Sequence, residues 1–320
     1  MKKILLAFLM LVLVSGCSCK NSSPEDNNKI NVVCTVFPQY DFVREIAKDK
    51  VNLTMLLPPG TEAHSYEPSP GDIIALKEAD LFIAIGGESE HWALHLLESE
   101  ELKNTNTLLL LNAVNTLNEE HKVGMDDVNH GHSHVHDTNC NHHDEEYDEH
   151  IWTSPENAII MCNKICDALI KADRKNASFY LDNLNTYIKK LKKLNAEFTS
   201  LAKKAKRNTI VVGDRFPLRY LTEEISLDYY AAFPGCSSKS EPSVNTVIYL
   251  CNKAKEEKIP VIFSVDYSDG RIAKTIAEAN NAKCMRLYSC HNLSKDQFKN
   301  GETYISLMKK NHSALKEALN

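Results

Sequence analysis

The sequence predicts an α/β fold of two lobes, and three observations carry that reading. Short apolar strands alternate with helical stretches from Lys29 to Leu97, a pattern that builds a parallel sheet with helices on both faces. The same alternation returns from Thr209 to the C-terminus. Between the two, one unbroken helical pattern runs from Asn176 to about Lys204. A chain of 320 residues, at ~100–200 residues per domain, also points to two domains.

In the first half, Lys29–Val36, Val51–Leu57 and Leu81–Ile85 read as strands. Tyr40–Lys48, Gly71–Ala79 and Glu90–Leu97 read as helices, the first with Phe42, Val43 and Ile46 on one face. Pro155 suits the first turn of a helix reaching about Lys171. In the long helix, Tyr180, Leu184, Tyr187, Leu191, Leu194 and Phe198 recur at three- and four-residue steps. At 1.5 Å per residue it would span roughly 42 Å, enough to act as a rigid connector between lobes. Thr209–Val212, Leu227–Ala231, Pro260–Val265 and Lys283–Leu287 are the strands of the second half. Its helices are Val244–Lys255, Arg271–Ala279 and Glu302–Leu319.

The N-terminus reads as a targeting segment. Lys2 and Lys3 precede the apolar run Ile4–Val14, which is too short to cross a bilayer comfortably. Small residues then lead into Cys17, a pattern similar to the bacterial lipobox, in which that cysteine carries lipid. Residues 1–16 are thus expected to be a signal peptide and 18–29 a flexible tether. The expected lobes are 30–172 and 207–320, with the long helix at 174–205. The net charge of −6 gives no basis for nucleic-acid binding. Ten cysteines occur without a CxxC pair, which argues against a zinc ribbon. Cys236 and Cys290, both in loop-like segments, are the candidate disulfide in an oxidising compartment. Cys34, Cys162, Cys166 and Cys251 read as small buried hydrophobes.

Histidines carry the chemistry. His64 lies in Gly60-Thr61-Glu62-Ala63-His64-Ser65-Tyr66-Glu67-Pro68, a proline-stiffened loop after a strand, where open α/β sheets bind ligands. His150 stands in Asp148-Glu149-His150-Ile151-Trp152, where order is expected to resume after a low-complexity mobile loop at 122–149. That loop carries His130, His132, His134, His136, His142 and His143 among acidic residues and no Lys or Arg from 125 onward, a composition suited to weak, exchangeable metal binding. Asp266, Asp214 and His291 follow strands of the second half, with ligation and loop capping both open for each. His91 and His95 share a helix face at i, i+4, but Trp92 stands where a zincin protease needs its glutamate. No Walker A, dinucleotide glycine fingerprint or nucleophile elbow occurs.

Taken together, VVCTVFPQYDFVREIA, GTEAHSYEPSP, the His-rich loop, DEHIWTSPENA and the long mid-chain helix resemble the metal-binding subunits of zinc and manganese ABC importers. The resemblance spans about residues 30–320. It implies two Rossmann-like lobes, each a central mostly parallel sheet flanked by helices, joined by one long rigid helix with metal in the cleft. It also implies delivery of that metal to a membrane permease driven by a separate ATPase. His64 and His150 match the family's first two histidine ligands, and Asp266 falls where the family has a carboxylate. The third family histidine is missing from Val212-Gly213-Asp214-Arg215-Phe216-Pro217. His291 is the expected replacement, with Asp214 the competitor.

Three imidazoles and a carboxylate suit tetrahedral zinc, whereas manganese prefers more oxygen ligands. The expectation is a lipid-anchored, extracytoplasmic, monomeric zinc-binding protein that is not an enzyme. The alternatives are a manganese importer subunit, a surface adhesin with a structural metal, and a zinc hydrolase using Glu62 or Glu67 as base.

Overall fold

The structure is a computed structural model that describes residues 29–125, 147–237 and 241–320, with His64 described only through its backbone. The expected signal peptide, Cys17, nearly all of the tether and the six loop histidines lie outside the described residues.

The first sheet is built from β1 (Ile30–Cys34), α1 (Phe37–Ala47), β2 (Val51–Met55), α2 (Pro70–Lys77), β3 (Leu81–Ala84), α3 (His91–Leu97) and β4 (Thr107–Leu109). Its strand order is β2-β1-β3-β4, and every pairing is parallel. Two helices follow, α4 (Pro155–Ala172) and α5 (Ala177–Lys204). The second sheet comes from β5 (Thr209–Arg215), α6 (Arg219–Ile225), β6 (Asp228–Phe233), α7 (Val244–Glu256), β7 (Val261–Val265), α8 (Arg271–Ala279) and β8 (Lys283–Leu287). Its order is β6-β5-β7-β8, again all parallel, and α9 (Lys295–Lys299) and α10 (Tyr304–Leu319) close the chain.

The central strands are apolar on both faces because helices cover both. Val32, Val33, Cys34, Leu81, Phe82, Ile83 and Ala84 are buried, as are Val261, Ile262 and Phe263 opposite. Helix starts follow local chemistry. Ser154 accepts from Asn157 N at 3.0 Å, and Pro155 occupies the first helical position of α4. Pro38 is the second residue of α1, which begins at Phe37, ahead of the predicted Tyr40.

Helix α5 buries the predicted seam, Tyr180 to Phe198, and extends it to Leu201. Tyr187 packs beside Phe42 of α1, while Phe198 meets His312 of α10. One helix thus packs on both halves. The halves are also joined directly by polar contacts. Trp152 Nε1 donates to Ser289 O at 2.8 Å, Tyr304 O–H to Trp152 O at 2.7 Å, and Gly60 N to Leu293 O at 2.7 Å.

Three short elements, β4, α6 and α9, were not anticipated, because three to seven residues give too little periodicity to read. The loop expected at 122–149 is folded at both ends. Met125, Asp148 and Glu149 are buried, and Asn118 and Tyr147 form an antiparallel bridge. Asp148 N donates to Leu117 O at 2.9 Å, which fixes the segment leading into His150.

Candidate metal site

Strand C-terminal ends from both sheets open onto one cleft of about 310 Å³. Thr61, Glu62 and Ala63 line it from the first half, with His150; Asp214, Arg215, Asp266, Ser289 and His291 line it from the second.

His150 is placed by its own segment. Tyr220 O–H donates to the Asp148 carbonyl at 2.7 Å, and Asp148 Oδ1 accepts the His150 N–H at 2.8 Å. The same oxygen lies 3.1 Å from His150 Nδ1. A carboxylate holding Nδ1–H leaves the Nε2 lone pair for a metal. Behind it, the buried Trp152 fixes the turn through its bond to Ser289 O. Burial by itself pushes the His150 pKa down, but the charges of Asp148, Glu149 and Glu119 outweigh it, and the net shift is upward.

His291 approaches from the other side and is likewise buried. Its ring centroid lies 5.6 Å from that of His150, edge to face, and 4.9 Å from Trp152. The His291 carbonyl accepts Phe37 N at 3.2 Å, so its backbone is pinned to the first half.

Asp266 follows β7 and lines the cleft. Its Oδ1 accepts Ser289 N at 2.7 Å and its Oδ2 the Ser289 hydroxyl at 3.2 Å, and burial pushes its carboxyl up to about 6. Asp214 also lines the cleft, and both its oxygens likewise accept hydrogen bonds. Oδ2 accepts Val265 N at 2.9 Å, and Oδ1 accepts the Ser268 hydroxyl at 2.6 Å. His64 occupies the one-turn helix Ala63–Ser65 at the cleft edge. Among the described residues, no three His, Cys, Asp or Glu side chains form a ready-made metal site.

Gly213, in the segment that lacks the expected histidine, is tightly packed. A Cβ there would lie 2.6 Å from both Cα and N of Ala273, because β5 is pressed against α8. No side chain fits at that position without moving a helix.

Cys236 and Cys290 do not pair; both are free thiols in the structure. They face different groups: Cys290 Sγ lies 3.8 Å from Tyr288 O, and Cys236 Sγ lies 4.0 Å from His150 Nδ1. Cys236 N donates to Glu119 Oε1 at 2.8 Å. Sequence reading missed Cys236 and Glu119 as neighbours of His150, since each is far from it along the chain. Of the bases considered for a hydrolase, Glu62 is paired with Arg215 at 3.4 Å, and Glu67 does not line the cleft.

The chain is similar to several known proteins. Residues 32–318 match the family described as zinc-uptake complex component A, periplasmic, or ZnuA. The chain is 30% identical over 318 residues to the high-affinity zinc uptake system protein ZnuA of Bacillus subtilis, covering 98% of this chain and 94% of that one. It is 30% identical over 319 residues to the zinc-binding lipoprotein AdcA of Streptococcus pneumoniae, covering 99% of this chain but 61% of AdcA. Among solved structures, it is similar to the Zn(II)-bound ZnuA-like domain of Streptococcus pneumoniae AdcA, with a TM-score of 0.73 at 27% identity over 91% of this chain and 99% of that domain. The metal-dependent lipoprotein YcdH of Bacillus subtilis gives 0.75 at 28%, over 91% and 100%. The two-lobed α/β fold is therefore shared throughout, and the chain belongs to the ZnuA family of zinc-uptake binding proteins.

Proposed function

We propose that this chain captures Zn²⁺ outside the cytoplasm and hands it to an ABC importer. The observation that carries this is the facing of His150 and His291, one from each half, across a shared cleft at 5.6 Å. Zinc is the cargo, not a resident cofactor. His64, His150, His291 and Asp266 supply three imidazoles and one carboxylate, a set that completes a tetrahedron and leaves no position for an activated water. Asp148 keeps Nδ1 of His150 occupied, and Ser289 steadies Asp266. Asp214, tied to Val265 and Ser268, is the competing ligand, as the alternative to His291.

Lipid on Cys17 would hold the protein at the membrane beside its permease, with ATP hydrolysed by a separate subunit and the binding protein working as a monomer. The six histidines between His130 and His143 serve as an accessory collector.

Growth of a deletion strain in chelated medium tests the reading. A defect repaired by added zinc, and not by manganese, is expected. Normal growth would favour the adhesin alternative.

A further inference from the structure

Helix α3 carries a motif that the cleft does not use. His91 and His95 stand one helical turn apart, and both are exposed. Their rings are nearly parallel, 13° between planes, with centroids 6.5 Å apart. Glu98 Oε2 lies 3.1 Å from His95 Nδ1. This repeats the carboxylate–imidazole arrangement seen at His150 and again leaves Nε2 for a metal. Two Nε2 atoms at about 2.05 Å from a tetrahedral ion are roughly 3.3 Å apart. Exposed side chains cover that movement on the picosecond–nanosecond scale.

Glu88 and Glu98 are the exposed carboxylates flanking the pair, whereas Glu90 is buried and Glu100 and Glu101 are paired with Lys103 and Lys77. The start of α3 is also fixed beside the cleft. Ser89 N donates to Glu149 Oε2 at 3.1 Å, next to His150. Trp92 packs edge to face on Tyr66, at 5.4 Å, just after the turn that carries His64.

We propose that His91 and His95 form a second, exchangeable site for a borderline divalent metal such as zinc, nickel or copper, at the rim of the cleft. Two protein ligands and water make it weaker than a four-ligand site, and its imidazoles select against calcium and magnesium. It stands independently of which residues bind metal in the cleft.

Histidine labelling of the full chain with diethyl pyrocarbonate, with and without zinc in excess of one equivalent, tests this. Trypsin releases residues 78–103, which hold His91 and His95 and no other histidine; His64 and His150 fall on other peptides. Zinc is expected to abolish labelling at both residues together, and His95→Asn to restore the labelling of His91 in zinc while His150 stays protected. Equal labelling with and without zinc would overturn the proposal, as would protection of His91 that survives His95→Asn. Loss of protection at His150 alone would instead count against the cleft site.

Discussion

Asp148 Oδ1 accepts the backbone N–H of His150 and faces its Nδ1 at 3.1 Å, so one carboxylate sets both the position and the tautomer of the ring. Asp148→Asn keeps the shape but removes the charge. It is expected to weaken zinc binding by about 10–100-fold, the usual effect of losing a partner behind a metal ligand. Calorimetric titration reads this directly; unchanged affinity would show that Asp148 only shapes the loop.

Zinc affinity should fall in acid. A protonated imidazole cannot ligate, and the net charge around His150 raises its pKa above the ordinary value. The fall is therefore expected to begin above the ordinary imidazole pKa of ~6.5. Competition titrations between pH 8 and pH 5.5 measure it, and a flat profile would rule out histidine ligation.

Metal-free stability should run the other way. Glu90 is buried, held by the Thr35 hydroxyl and by Gly86 N at 2.8 Å, and burial pushes its carboxyl up to about 7. A raised folded pKa means the folded state binds the proton more tightly. This contribution is fully present below the unfolded value of ~4.3 and lost as pH rises through about 7. The expected result is a metal-free protein less stable to urea at pH 8 than at pH 5, with a slope that Glu90→Gln flattens. An unaltered slope in the variant would assign the pH dependence to other groups.

Adding one methyl group at Gly213 should destabilise the second half. The new Cβ would meet Ala273 backbone atoms at 2.6 Å, and overpacking of this kind costs about 1–3 kcal/mol. Denaturant unfolding of Gly213→Ala checks it; wild-type stability would mean that α8 can shift and that the position could accept a ligand.

Much of the fold was legible because its signals are long or fully buried. The α5 seam gives seven buried residues in regular steps, and strands such as Val261–Val265 are buried throughout and almost wholly apolar because helices cover both faces. A cleft-lining residue was readable where one short segment holds a histidine in strong company, as in Asp148-Glu149-His150-Ile151-Trp152. The surroundings of His150 were not readable where they come from distant segments. Glu119 and Cys236 reach His150 only through folding, and the close approach of β5 to α8 at Gly213 has no local signature. The hydrogen bonds that Asp214 accepts from Val265 and Ser268, and Asp266 from Ser289, also have no local signature.

The most direct measurement is a competitive zinc titration of the intact chain beside its His150→Ala and His291→Ala variants. The expected outcome is one tight zinc in the wild type and loss of that tight site in each variant, with the weaker sites retained. Tight binding that persists in His291→Ala would contradict a cleft completed by this histidine, and persistence in both variants would place the captured zinc elsewhere.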